Sequence, residues 1–506
     1  MNYRFHEIDP DLKTSVCKLN GISLDELDVS DFRPDYGMKI LEDMKEKLLS
    51  FRDKRFFIVG DYDCDGICAT AIMRRLFDDL HIAANHYIPS RTREGYGLNE
   101  KIVRTAYDNG FGVLLCVDNG INAKNELQLA SELGMKTVVI DHHEYASFPE
   151  ADLLLHPDLF EKDYADMCAA GLCALVSGSF RYDPLSQAYG GLATLADMVS
   201  VFGYNRYLLK DALSILNEKT VYPIHYLLKK KDCDFIDLSY DVIPKINAVS
   251  RLDDMLNVNY VVRYLLDDSP SCMSYLNKIE EINTLRKDLS RQMSLMARRL
   301  ADERNDVIVV SSPAFKEGLC GLVANRLMNE YGKPVIIFSE NGDLLKGSGR
   351  APKGLDLYSC LVEIEDLFVT FGGHAQAVGL SIEKNDLPKL IDHLKGIQRD
   401  QDGSVRDVLL LNRDLVDIGI LEEMKQLEPF GTGFEEPLFA LDCDRDMKKI
   451  VVAGQYPKFL INDRIDAISF NPRFLDRENG RMIGHLKKDD YHSGKLSFII
   501  EDLIQF

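Results

Sequence analysis

The chain has 506 residues, 46% apolar and 28% charged, the balance of a globular protein too long for one ordinary core, so two to four domains are expected. No apolar run is long enough to span a bilayer, and the opening "MNYRFHEIDPDLK" has no apolar signal core, which sets aside membrane and secretory classes and leaves a cytoplasmic protein as the expectation. The formal net charge of −21 argues against broad electrostatic capture of a polyanion, but divalent cations or a local Lys/Arg groove can still hold one.

Residues 1–50 form an extension expected to pack on the first domain, which spans 51–270. From about 55 to 200, short β-rich runs ("RFFIVG", "GVLLCVD", "KTVVID") alternate with helical stretches such as "CATAIMRRLFDDL" and "AKNELQLASELG", the rhythm of a parallel α/β sheet. Each run ends in a charged motif, so those motifs fall at the carboxyl ends of strands, where open α/β sheets build their sites. Residues 274–303 contain no Gly or Pro and keep apolar positions at helical spacing, which predicts one long helix (271–304) bridging two domains. A smaller α/β unit is expected over 305–400, with strands at "DVIVVSS" and "PVIIFSE". From 401 to 506 short alternating runs ("KKIVVAG", "RIDAISF", "GKLSFIIEDL") suit a small β-barrel. The eleven cysteines include no C-x-x-C pair and read as reduced thiols, mostly in cores.

The chemistry concentrates in four motifs: "GDYDCDG" with Asp61, Asp63 and Asp65; "CVDNG" with Asp118; "VIDHHE" with Asp141, His142 and His143; and "TLADMVS" with Asp197. A lone D-x-D after a strand is ordinarily a turn or a helix cap. Four such motifs in order, each at an element end, instead suit a pair of divalent ions, manganese or magnesium, for which carboxylate and imidazole are appropriate ligands. Two ions about 3.5–4 Å apart activate a water and clamp both oxygens of a phosphoester in line. Cations between them also explain why aspartates are placed so close together.

These motifs resemble those of the DHH phosphoesterase superfamily. The rest of the chain is similar to its bacterial RecJ branch of 5′-to-3′ exonucleases acting on single strands: "IPSRTREGYGL", "IPKINAVSRLDDM", "KEGLCGLVANRL", "LKGSGRAPKGLDLYSCL", "FGGHAQAVGLSI" and "PFGTGFEEPLF" all fit. The resemblance implies a DHH catalytic domain, a DHHA1 substrate-binding domain and a C-terminal OB-fold. It gives Asp63 and Asp118 to one metal, and Asp65, Asp118, His142 and Asp197 to the other, with Asp61 beside the first ion. His143 then faces the scissile phosphate, and Asp141 orients an imidazole from behind the ligands. Candidate substrate contacts are Arg91, Arg93, Lys245, Asn247 and Arg251, together with Ser348 and Arg350 of "SGR" and Gly372, Gly373 and His374 of "GGH", segments that the resemblance has approach the substrate across the cleft. Two positions depart from the usual pattern: Ser250 replaces a glycine, and Lys316 stands where many relatives carry His or Trp.

In the C-terminal segment, Phe459, Phe470, Phe474 and Tyr491, with Lys458, Arg464, Arg473 and Lys487, are candidates for a base-stacking groove, against the ordinary tendency of barrel aromatics to form core. The function implied is metal-dependent hydrolysis of single-stranded DNA in repair and recombination, with single-strand-binding or other repair proteins as partners. A phosphodiesterase of short oligonucleotides or cyclic dinucleotides, and a catalytically inactive scaffold, are the alternatives. The intact acidic and His motifs argue against the scaffold.

Overall fold

A computed structural model describes residues 2–397, 405–444, 447–471, 474–477, 479–489, 492 and 494–505. The runs "FFIVG" and "VLLCV" are apolar throughout because both faces of their sheet are covered. That sheet is parallel and five-stranded, in the order Ala84–Tyr87, Phe56–Gly60, Val113–Val117, Lys136–Ile140, Leu153–Leu155. Alternation divides the side chains. Phe56, Ile58, Leu115 and Val138 join a core with the helices Cys64–Asp79 and Ala169–Phe180, while Phe57, Val59, Leu114 and Val139 join Ile102, Val103 and Leu127 on the other face. The helices Ala169–Phe180, Pro184–Ala196 and Gly203–Glu218 continue the domain, and Asp197 caps the carboxyl end of the second.

The long helix runs Met273–Leu300, about 42 Å at 1.5 Å per residue. Beyond it lies a five-stranded mixed sheet, ordered Phe368–His374, Ala377–Glu383, Leu344–Arg350, Val335–Asn341, Ile308–Ser312, in which only the last pair is parallel. This register aligns two sequence motifs. Gly372 faces Gly379, which faces Ser348, and His374 faces Ala377, which faces Arg350. The two domains meet at Gly318, where an added Cβ would lie 2.2 Å from the Arg251 carbonyl oxygen, so only glycine permits this approach.

Two expectations are corrected by the third sheet. The C-terminal strands form an open eight-stranded sheet rather than a closed barrel, with Asn2–His6 at one edge and Lys448–Val452 at the other. Its first strand comes from the N-terminal extension: Asn2 pairs with Val405 and His6 with Leu409, in parallel. Leu12, Val16 and Cys17 of the following helix share the C-terminal core, and it is the later part of the extension that packs on the first domain, through Phe32, Tyr36, Leu41, Met44 and Leu48. The alternation of "NYRFH" marks a strand but carries nothing about its partner, which lies some four hundred residues away. Arg206, fully buried, ties these parts together by donating to the carbonyls of Leu27, Leu427, Glu428 and Pro429. All eleven cysteines are free.

Candidate metal centre

Three neighbouring strands end level with one another. Gly60 lies opposite Val117, and Val117 opposite Ile140, so Asp61, Asp118 and Asp141 leave the sheet side by side. The chain then turns directly into helix Cys64–Asp79. Asp63 caps it, accepting from the Asp65 and Gly66 amides at 3.0 and 3.2 Å, and a Cβ on Gly66 would strike the Asp61 backbone at 2.5 Å. Asp65 is buried one step inside, and its two oxygens accept from the Ala169 and Ala170 amides at 2.8 and 2.7 Å, at the amino end of another helix. Asp118 takes a left-handed backbone (φ 60°), a conformation rare for non-glycine residues and found preferentially at functional sites.

Around Asp118 the donor atoms converge. His142 Nε2 lies 3.3 Å from Asp118 Oδ1, 3.6 Å from Asp197 Oδ2 and 3.7 Å from Asp65 Oδ2. Asp61, Asp63 and Asp118 make one set whose oxygens lie within 4.8 Å of one another, and Asp65, His142 and Asp197 make a second set of the same span. Asp118 also groups with His142 and His143. The electrostatics are those of a site built for cations. Burial, then the neighbouring carboxylates, push Asp61 and Asp118 well above the ordinary carboxylate range and raise Asp197 to about 8. Asp61 Oδ1 is buried with no hydrogen-bond partner. A hard, oxygen-rich donor set with an orphaned oxygen and mutually raised acids fits manganese or magnesium.

Asp141 has a different role. It is completely buried, and its carboxylate accepts from the Ile121 amide at 2.9 Å, the His142 amide at 2.8 Å and His143 Nδ1 at 2.8 Å. Its partner is therefore His143 rather than His142. Burial disfavours a charge on His143, but the bond and charge of Asp141 outweigh it and raise the imidazole to about 9. Tyr96, which sequence reasoning passed over, places its hydroxyl within 3.2 Å of both His143 ring nitrogens and donates to the Asp118 carbonyl at 3.1 Å. The only available signal was its place in "REGYGL", where it reads as a loop aromatic.

Among the residues expected to meet substrate, Arg251 lies at the centre of a cluster of cations. Burial and the like charges of Arg91, Arg286 and Arg350 depress its pKa to about 9. None of Arg91, Arg251 and Arg350 has a carboxylate within ion-pair distance among the described residues: Arg91 lies over the Tyr62 ring at 5.0 Å, Arg251 donates to Gly318 O at 3.5 Å and Arg350 to Gly349 O at 2.7 Å. Ser348 and Arg350 crowd Gly321 in the first turn of helix Cys320–Tyr331. Arg286, on the long helix, was missed because in "TLRKDL" it looks like any solvated helix cation. Asn247 keeps a buried, unpartnered Oδ1. Arg93, Gly372, Gly373 and His374 are exposed, the last three on the edge strand of the second sheet.

Lys245 does not join this cluster. It pairs with Glu280 and donates to the Leu227 carbonyl. Lys316 is held by Asp254 at 2.7 Å, and Ser250 is buried, bonding to Asn247 O. In the C-terminal sheet Phe459 and Phe474 are core, Lys458 pairs with Asp466 and Arg464 bonds to the Asp414 carbonyl, whereas Phe470 is exposed beside Tyr456 and Lys487 is exposed. Tyr491 and Arg473 lie outside the described residues.

The C-terminal unit also reaches the metal centre. Thr432 Oγ1 donates to the carbonyl of Met198 at 2.5 Å, and the Val201 amide donates to Thr432 O at 3.1 Å, bracketing the turn that carries Asp197.

Known proteins resemble this chain in sequence and in fold. The sequence matches the DHH family, N-terminal domain, over residues 55–196, the DHHA1 domain over 293–400 and the RecJ OB domain over 409–502. It is 28% identical over 465 residues to the single-stranded-DNA-specific exonuclease RecJ of Bacillus subtilis (strain 168), covering 86% of this chain and 58% of that protein. It is 30% identical over 480 residues to the protein of the same name from Escherichia coli (strain K12), covering 83% of this chain and 82% of that one. The chain thus spans less than two thirds of the Bacillus relative. The fold superposes on RecJ in complex with Mn2+ from Thermus thermophilus with a TM-score of 0.84 at 22% identity, over 100% of this chain and 79% of the other.

Proposed function

The chain belongs to the RecJ family of DHH phosphoesterases, and from that premise we propose that it is a metal-dependent exonuclease removing nucleotides from the 5′ end of single-stranded DNA, in repair and recombination. The observation that carries this reading is the closeness of two cation-ligating sets around Asp118 and His142 to an arginine cluster, Arg91 acting on Asp61 and Asp63 on Arg251, that has no carboxylate in ion-pair distance among the described residues. Two manganese or magnesium ions held by Asp61, Asp63, Asp65, Asp118, His142 and Asp197 supply Lewis-acid charge and an activated water when bound.

The protein's own groups do the rest. Asp118 stands nearest both ligand sets and holds them close. Asp65, fixed by two helix amides, cannot swing away when a phosphate arrives. Asp141 binds His143 Nδ1 and favours its imidazolium, so that Nε2, which lies 3.1 Å from the Tyr96 hydroxyl, donates to a non-bridging phosphate oxygen once that oxygen takes the hydroxyl's place. Arg91, Arg251 and Arg350 take the phosphate charge of the strand, with Ser348 and the Gly372–His374 edge beside them. Partners beyond DNA, such as single-strand-binding or other repair proteins, and a cytoplasmic location follow from the same reading. No helix among the described residues is long and apolar enough to cross a membrane.

End-labelled single-stranded DNA, single-stranded RNA, duplex and dinucleotide, each incubated with manganese or magnesium, test the proposal. Release of 5′ label from single-stranded DNA first is the expected result. Digestion of blunt duplex at equal rate, or cleavage confined to dinucleotides, refutes it, the latter in favour of a small-substrate phosphodiesterase.

A further inference from the structure

A groove of about 860 Å³ lies on the C-terminal sheet where the parallel strands Asn2–His6 and Val405–Leu410 end. Helix Leu12–Leu19 and helix Gly419–Leu427 flank it. Its lining includes Ile8, Leu12, Leu411, Val416 and Ile420, and Leu415 stands at the lip, 74% exposed. An isoleucine or leucine singly exposed needs no explanation, but a lined apolar groove ending in a bare leucine does.

Apart from one Arg–Asp pair, the groove's charges are of one sign. Glu7, Asp11, Asp417 and Glu423 line it with no Lys or Arg in ion-pair distance among the described residues. The single lining cation, Arg481, is already engaged: it makes a bidentate pair with Asp442 at 2.6 and 2.9 Å and lies over the Phe5 ring at 4.6 Å. Asp11 and Asp417 are fixed by local amides, from Thr14 and Gly419, so their positions are set in advance.

We infer that this groove docks a basic, apolar-anchored peptide segment of a partner protein, seated as an amphipathic helix whose leucine-like side chains pack on Leu415 and Ile420 while its lysines or arginines meet the four carboxylates. Charge complementarity selects this occupant. A nucleic acid strand is repelled by the same carboxylates that attract a basic peptide. A second copy of this chain, at −21 net, brings mostly the wrong charge. The groove is therefore separate in chemistry from the arginine cluster, and lets a partner be held without competing for DNA.

The test uses the full chain and fluorescence anisotropy with three labelled probes: a helical peptide of leucines and lysines, its counterpart with every lysine replaced by glutamate, and a single-stranded DNA oligonucleotide. Metal is omitted so that the DNA is not degraded. The Leu/Lys peptide is expected to bind, to weaken with added salt, and to weaken about tenfold in the double variant Glu7→Lys/Glu423→Lys, two exposed positions at which charge reversal leaves the core intact. Leu415→Asp is expected to weaken it comparably, and the oligonucleotide is expected to bind wild type and variants alike. Equal binding of the Leu/Glu peptide, indifference to these substitutions, displacement of the peptide by the oligonucleotide, absence of binding, or self-association in sedimentation that Leu415→Asp abolishes would each overturn the inference.

Discussion

Replacing Arg206 by methionine keeps most of the side chain's length and removes its charge and donors. In the native protein the guanidinium is completely buried, Nε donating to Leu27 O at 2.8 Å, Nη1 to Pro429 O at 3.0 Å, and Nη2 to Leu427 O at 2.6 Å and Glu428 O at 3.1 Å. Burial depresses its pKa to about 10, so it remains charged at neutral pH. Four charge-assisted bonds at about 1.5–3 kcal/mol each are gross gains of ~6–12 kcal/mol, set against a desolvation penalty of several kcal/mol for one buried cation. The net loss expected on substitution is about 3–5 kcal/mol, the usual cost of removing one side of a buried charged network. Because the four acceptors lie in two distant segments, the loss should also separate them. Urea unfolding followed by far-ultraviolet circular dichroism is expected to show a lowered midpoint and, for Arg206→Met, a transition split into two as the C-terminal sheet parts from the first domain. A single transition superposable on that of the native protein would refute the clamp.

Other substitutions probe the metal centre. Asp118→Asn should lose both bound metal, by elemental analysis, and nuclease activity, whereas His143→Ala should keep metal and lose activity; retention of both ions and turnover in Asp118→Asn contradicts its shared position. Asp197, raised to about 8 chiefly by burial and then by Asp65 and Asp63, must lose a proton to bind a cation, so manganese affinity should climb as pH rises through about 8, with proton release measurable by calorimetry in different buffers. The same raised value contributes stability to the metal-free protein that is present below the unfolded value of 3.8 and is lost as pH rises through about 8, so the thermal shift produced by manganese should grow across that window, and a pH-independent shift counts against the assignment. Thr432→Val removes the bond to Met198 O and should weaken manganese binding about fivefold, for a hydrogen bond worth ~1 kcal/mol, in an electron paramagnetic resonance titration; unchanged affinity would show that the loop does not position Asp197. Tyr96→Phe should lower turnover by a similar factor with metal content intact, and an unaltered rate removes the tyrosine from the mechanism.

The catalytic sheet was legible because parallel strands buried on both faces are written as continuous apolar runs, each followed at once by its charged residue. Asp61, Asp118 and Asp141 could thus be placed at strand ends, though only the register shows that Gly60, Val117 and Ile140 lie abreast. The pairing of "SGR" with "GGH" was likewise visible as two glycine-rich motifs, while their alignment through Gly379 and Ala377 belongs to the hydrogen-bond ladder. What escaped was decided by partners far along the chain. Lys245 and Arg251 sit six residues apart in one helical segment, yet one meets Glu280 and the other meets other arginines. Nothing local distinguishes them. Closure of a barrel is equally a global property, and eight strands alternating in pattern do not reveal whether the first and last meet.

The parallel pairing of Asn2–His6 with Val405–Leu410 has a consequence for synthesis. At about 5–20 residues per second, strand Asn2–His6 waits roughly 20–80 s for its partner. Throughout that interval Tyr3 and Phe5 have an open strand edge on both sides. Arg4, His6, Glu7 and Asp9 interleave and follow them, and such charges discourage a nascent strand from pairing with a neighbour's. The same delay governs the metal centre: Thr432 follows Asp197 by more than two hundred residues, so the turn that carries this carboxylate gains this support only after that much more chain has been made.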